Sequence, residues 1–205
     1  MTPVTGATQF LNTPGQASFT PDGDHLIVTT KANGSRIDVF RVRPDGLLSA
    51  APVINPSATP VPFGLTFDRD DHLVVAEAGS SAVSTYRVRG DGRLMLIASR
   101  ADGQAALCWI ARADGAFYVA NAGSGTLSGY RIGASGTPSL IGQTGVVASP
   151  GGGPIDLAAS RGGEFVYAQL GGTGAVVGYR VNHDGTLTPV GSVAGQVGME
   201  GIAAT

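Results

Sequence analysis

Apolar positions in this chain fall in short runs, and the runs recur in groups of four. The first group is Ala17–Phe19, Leu26–Thr30, Ile37–Val42 and Leu48–Ile54. Val, Ile, Thr and Phe fill these runs and Asp, Gly, Pro and Ser separate them, which predicts strands joined by hairpin turns. No segment sustains a 3.6-residue apolar period, so almost no helix is expected. The same order then returns three times. Phe40-Arg-Val becomes Tyr86-Arg-Val, Tyr130-Arg-Ile and Tyr179-Arg-Val, at steps of 46, 44 and 49 residues. The turn Asp45-Gly46 returns as Asp91-Gly92, Ser135-Gly136 and Asp184-Gly185 at the same steps.

Four strands in a unit of about 45 residues predict an all-β fold, a β-propeller of four-stranded antiparallel blades. The units span roughly 14–55, 62–100, 106–145 and 154–193. A β-solenoid or a β-sandwich fits less well, because solenoid repeats are usually shorter and a sandwich does not repeat its own sequence. The recurrent aromatic (Phe40, Tyr86, Tyr130, Tyr179) reads as a wedge between blades. The Arg after it alternates to the wet face, where its stem covers a neighbouring strand. An orphan strand is expected at each end, one within Pro3–Leu11 and one at Gly201–Ala204, which repeats Asp156–Ala159. Four blades with two orphan strands do not close comfortably into a ring. Residues 1–205 are therefore expected to be one propeller domain or the C-terminal portion of one, completed by missing blades or by self-association.

Composition removes several classes. Thirteen Lys and Arg against fifteen Asp and Glu give a net charge of −2, and no basic run occurs, so nucleic acid is not an expected partner. The single Cys, Cys108, excludes an internal disulfide and a thiolate metal cluster. No apolar stretch is long enough for a membrane helix. The start, Met-Thr-Pro-Val-Thr-Gly-Ala, lacks the basic head and apolar run of a signal peptide, so the expected compartment is the cytoplasm. No cofactor is expected. His25, His72 and His183 sit beside turns and read as solvated turn residues.

The stretches Ser18-Phe-Thr-Pro-Asp-Gly, Phe117-Tyr-Val-Ala-Asn-Ala-Gly-Ser-Gly-Thr-Leu-Ser-Gly-Tyr130 and Gly201-Ile-Ala-Ala resemble the seven-bladed lactonase-type propellers. That family includes 6-phosphogluconolactonase-like and carboxymuconate-cyclase-like enzymes. The resemblance implies a small-molecule substrate and hydrolysis or cycloisomerisation of a small lactone or sugar-acid derivative. Glu77, in Val75-Ala-Glu-Ala-Gly, looks like the family's strand-end glutamate.

A polar residue that changes from blade to blade at one position is a candidate for ligand contact. Two registers behave this way. The ends of the second strands carry Thr30, Glu77, Asn121 and Gln169; the starts of the first strands carry Gln16, Gly64, Cys108, Asp156 and Gly201. Both are expected near one mouth of the central channel. Glu77 is expected to act as the catalytic base there, with Asn121 and Gln169 polarising a carbonyl and Gln16, Thr30 and Asp156 contacting substrate. Arg100 is the expected cation for an anionic group. No metal is expected, although a Glu/Asn oxygen site would suit Ca²⁺ better than a transition metal. Two plainer readings stand beside this one: the polar groups satisfy backbone donors in the tapering channel, or the propeller is a non-catalytic binding scaffold.

Overall fold

The computed structural model describes residues 12–205, so the strand expected within Pro3–Leu11 lies outside the described residues. The rest forms seventeen strands in four antiparallel sheets, each taking one repeat unit. Blade 1 is β1 (Ala17–Phe19), β2 (His25–Thr29), β3 (Arg36–Arg41) and β4 (Val53–Pro56). Blade 2 is β5 (Pro62–Phe67), β6 (Leu73–Glu77), β7 (Ala82–Val88) and β8 (Leu94–Ala101). Blade 3 is β9 (Leu107–Ala113), β10 (Ala116–Asn121) and β11 (Thr126–Ile132), with a split outer strand, β12 (Pro138–Leu140) and β13 (Val146–Ala148), both paired to β11. Blade 4 is β14 (Pro154–Ala159), β15 (Phe165–Leu170), β16 (Val176–Val181) and β17 (Leu187–Val193).

Side chains alternate across a strand, so a sheet sandwiched between two others must be apolar on both faces. In β10, Phe117 and Val119 enter the core shared with blade 2, while Tyr118 and Ala120 enter the core shared with blade 4. In β6, Val74 and Ala76 face blade 3, and Leu73 and Val75 face blade 1. The end blades lack a described neighbour on one side. In β2, Ile27 is buried against blade 2 while Leu26 and Val28 are half-buried on the other face.

Three of the four recurrent aromatics are buried between blades as the repeat predicts, and the fourth, Phe40, is half-buried because blade 1 has no described neighbour on that face. Tyr86, Tyr130 and Tyr179 are buried, and Arg41, Arg87, Arg131 and Arg180 are exposed. The Arg180 guanidinium lies 5.8 Å from the centre of the Phe165 ring, as a stem-covering side chain should.

A second device joins each blade to the next. The glycines of the third-to-fourth-strand turns, Gly92, Gly136 and Gly185, have φ of 80°, 83° and 87°, the left-handed region a side chain resists. Each turn folds onto the preceding blade, and each glycine carbonyl accepts a side-chain hydrogen bond from it. The donors are Asn55 Nδ2 to Gly92 (3.1 Å), Thr85 Oγ1 to Gly136 (2.6 Å) and Tyr118 OH to Gly185 (3.0 Å).

Two expectations need correction. His25 and His72 are not solvated: each is only 5% exposed. His72 Nδ1 lies 2.8 Å from Asp68 Oδ2 and sits under the Gly136 turn of blade 3, so blade stacking covers a turn that is open within a single blade. Gly201–Ala204 carries no strand. A first strand needs a second one to pair with, and here the segment is held instead by the Ile202 amide donating to Asp156 Oδ2 at 3.1 Å. Among the described residues no helix is long and apolar enough to cross a membrane.

Candidate functional site

First strands of adjacent blades run close together at the axis. A Cβ at Gly64 of β5 would lie 3.0 Å from the Trp109 Cα and 3.1 Å from the Cys108 carbonyl of β9, so only glycine allows this approach. Where these strands begin, the blades surround a cavity of about 630 Å³, within the range of small-ligand sites. Its wall includes Lys31, Phe63, Cys108, Trp109, Asp156 and Glu200.

Lys31 follows the end of β2 with φ 52°, a conformation uncommon outside glycine and enriched at functional positions. Its amide donates to the Pro62 carbonyl of blade 2 at 3.0 Å, and its ammonium lies 4.3 Å from the centre of the Phe63 ring. That cation–π contact fixes the charge at the cavity wall. Burial holds the Lys31 pKa below its ordinary value, while nearby Glu200 opposes the shift. Phe63 meets Trp109 edge to face, with ring centres 6.4 Å apart and planes at 71°.

Asp156 stands across blade 4. Its Oδ1 accepts the Leu157 amide at 2.7 Å and its Oδ2 accepts the Ile202 amide at 3.1 Å. Burial pushes its carboxyl above the usual carboxylate range despite these donors, and Glu200 adds to the rise. Burial also pushes the Cys108 thiol up to about 12, so it carries no thiolate at neutral pH and serves as wall.

Of the residues expected to hold or transform substrate, Asp156 is on this wall and the others are elsewhere. Glu77 is 0% exposed. Its Oε1 accepts from Ser57 Oγ at 2.5 Å and Tyr86 OH at 2.7 Å; its Oε2 accepts from Thr59 Oγ1 at 2.7 Å and Ser84 Oγ at 2.5 Å. Four hydroxyls enclose the carboxylate, which ties the connection between blades 1 and 2 to the second and third strands of blade 2. Asn121, at the same place in blade 3, is fully buried and donates to Thr126 Oγ1 (3.1 Å) and Ser128 Oγ (2.8 Å). Gln169 is buried in blade 4, and among the described residues neither of its amide atoms has a hydrogen-bond partner. Thr30 Oγ1 bonds the Arg36 carbonyl at 3.0 Å, closing its own hairpin. Gln16 Oε1 accepts the Leu65 amide at 2.7 Å, stapling blade 1 to blade 2.

Arg100 is not in a loop. It is exposed on β8 opposite Val83, and its carbonyl accepts the Tyr130 hydroxyl at 3.2 Å. The cation at the mouth is Lys31, the chain's only Lys, one residue past the variable polar register. Lys31, Ala78 and Ala122 line the cavity, each one position beyond Thr30, Glu77 and Asn121. A step of one residue exchanges the faces of a strand, so the variable register lies in the blade interface and the next one at the axis.

A second groove, of about 470 Å³, opens at the opposite rim beside Asp114, Glu164, Phe165, Arg180 and His183. Its charged side chains are exposed, and no group of three or more metal-ligating side chains occurs among the described residues.

No protein-family model and no curated protein matches the chain. Solved structures do. A Lactobacillus plantarum protein superposes with a TM-score of 0.78 at 16% identity, over 88% of this chain and 57% of its own. The periplasmic gluconolactonase of Pseudomonas aeruginosa gives 0.73 at 21%, over 91% and 59%. A Bacteroides fragilis protein provisionally assigned as a 6-phosphogluconolactonase gives 0.72 at 16%, over 92% and 57%. The chain thus spans less than two thirds of the length of the structures it matches. Its fold is that of the lactonase-type β-propellers.

Proposed function

We propose that the channel mouth binds a small lactone and opens its ring by hydrolysis. The observation that carries this reading is the pairing, on one cavity wall, of a buried carboxylate with a raised pKa, Asp156, and a buried ammonium, Lys31. The Pseudomonas aeruginosa gluconolactonase and the Bacteroides fragilis protein share this fold, which supports the choice of reaction class.

In this reading Asp156 accepts a proton from water as the water oxygen attacks the lactone carbonyl. Lys31 stabilises the negative charge that develops on the carbonyl oxygen. The ring C–O bond then breaks, the departing oxygen takes the proton back from Asp156, and a hydroxy acid leaves. A raised pKa suits a group that must both accept and return a proton near neutrality.

The test is turnover of a lactone panel by the full-length protein and by Asp156→Asn. The variant is expected to lose about 100-fold or more in kcat/KM, the usual cost of removing a general base, with its melting curve kept. Unchanged turnover by the variant would show that the base lies elsewhere. Binding of lactones without turnover by the unaltered protein would favour the scaffold reading, in which the aromatic and cationic wall holds a ligand and does no chemistry.

A further inference from the structure

Resting on the mouth as the ligand site, we infer that it selects an uncharged lactone with an apolar body, alkyl or aryl, over sugar lactones and phosphorylated ones. Two properties of the wall carry the inference. The first is its chemistry away from the reacting groups. Phe63, Trp109, Ile155 and Ile202 face the space together with Ala78, Ala106 and Ala122. Among the described lining residues the polar side chains are Thr13, Lys31, Asp156 and Glu200, besides the Cys108 thiol.

A sugar lactone brings a hydroxyl on nearly every carbon. Each hydroxyl moved from water against an apolar wall without a partner costs free energy, and the costs accumulate around the ring. Lys31 and Asp156 are already engaged by the carbonyl and the attacking water. Thr13 and Glu200 cannot serve a full set of hydroxyls. An alkyl or aryl substituent loses nothing there and gains contact with Phe63 and the half-buried Trp109.

The second property is charge. One ammonium faces two carboxylates, and Glu200 acts electrostatically on both Lys31 and Asp156. A phosphate dianion entering this site meets Asp156 and Glu200, with Lys31 the one cationic side chain among the described lining residues. An uncharged ligand meets no such repulsion. The wall therefore disfavours the phosphorylated ligand twice, by its hydroxyls and by its charge.

The experiment uses Trp109, the only Trp in the chain, as a built-in reporter. Its fluorescence is followed as the folded full-length protein is titrated with three probes, with calorimetry as a second readout. The probes are a δ-lactone bearing an alkyl chain, glucono-δ-lactone and 6-phosphogluconolactone. The alkyl lactone is expected to bind about tenfold or more tightly than either sugar lactone, since a few matched apolar groups already provide that discrimination. Glu200→Gln is expected to raise affinity for the phosphorylated lactone several-fold relative to the alkyl lactone. Binding of either sugar lactone as tight as the alkyl lactone, or no binding of the alkyl lactone, overturns the inference. Turnover is scored separately. An alkyl lactone that binds as expected and is never opened sinks ring hydrolysis and leaves the ligand class standing; Asp156-dependent opening of all three lactones with equal affinities does the reverse.

Discussion

Thr85 Oγ1 in blade 2 donates a 2.6 Å hydrogen bond to the carbonyl of Gly136 in the turn of blade 3. Asn55 and Tyr118 make the equivalent bond at the other two junctions, so one latch is built from an amide, a hydroxyl and a phenol. Thr85 is fully buried. Thr85→Val keeps the shape and leaves the Gly136 carbonyl without this donor. A loss of about 1–3 kcal/mol is expected, the cost of an unpaired buried acceptor. Urea unfolding of the two proteins checks it, and equal midpoints would mean that the turn finds another donor.

Tyr130 is fully buried in the core between blades 2 and 3, with its hydroxyl on the Arg100 carbonyl. Tyr130→Ala is expected to cost about 3–5 kcal/mol, as for other core aromatics. Tyr130→Phe removes only the hydroxyl and is expected to cost about 1 kcal/mol. The ratio of the two losses, read from denaturant midpoints, separates packing from hydrogen bonding. Comparable losses would overturn the wedge role.

The blade was legible in the sequence because its strand runs, turn glycines and wedge aromatics recur at nearly constant steps. The faces of those strands were less so. Thr30, Glu77, Asn121 and Gln169 vary between blades, and each meets a different local set of partners: four hydroxyl donors at Glu77, two hydroxyl acceptors at Asn121, a backbone carbonyl at Thr30, and no hydrogen-bond partner among the described residues at Gln169. Lys31 is hard to single out because its neighbours in the register are Ala78 and Ala122, which carry no chemistry, and because its left-handed φ is invisible in a residue other than Gly. Burial of His72 depends on the Gly136 turn of the following blade, a contact no local reading contains.

Glu77 separates clamp from catalyst. Glu77→Gln places an NH₂ donor among four hydroxyl donors, so at least one buried polar contact is lost. Stability is expected to fall by about 1–3 kcal/mol. Lactone turnover per folded molecule is expected to be unchanged, because the cavity wall is formed by other residues. Loss of turnover with an unaltered melting curve would restore Glu77 as the base.

The two end blades expose apolar side chains: Phe19 of blade 1 is 58% exposed and Val190 of blade 4 is 51% exposed. Stacked repeats cover such faces. The chain by itself is expected to associate with rising concentration, and Phe19→Glu is expected to weaken association by placing a charge on blade 1. Sedimentation velocity over a concentration series checks both. A monodisperse monomer throughout would show that these faces are stable in water.

Asp156 links the site to pH. Burial raises its carboxyl pKa in the folded protein above the unfolded value of an ordinary aspartate. Between those two pKa values the folded state holds more protons than the unfolded state, so the slope of unfolding free energy against pH is negative. The protonated carboxyl is thus accommodated below the unfolded pKa, and stability from this group declines as pH rises through the folded pKa. An asparagine side chain cannot ionise, so Asp156→Asn should lack this decline. The difference between the two stability curves, measured by denaturant unfolding at a series of pH values, should therefore grow from the unfolded pKa upward and level off above the folded one. Activity should move the opposite way: the ionised carboxylate is the base, so kcat/KM should rise over the same interval in which stability falls. A pH-independent difference between the curves would mean that Asp156 titrates as it does in water, and that the wall does not prepare it for proton transfer.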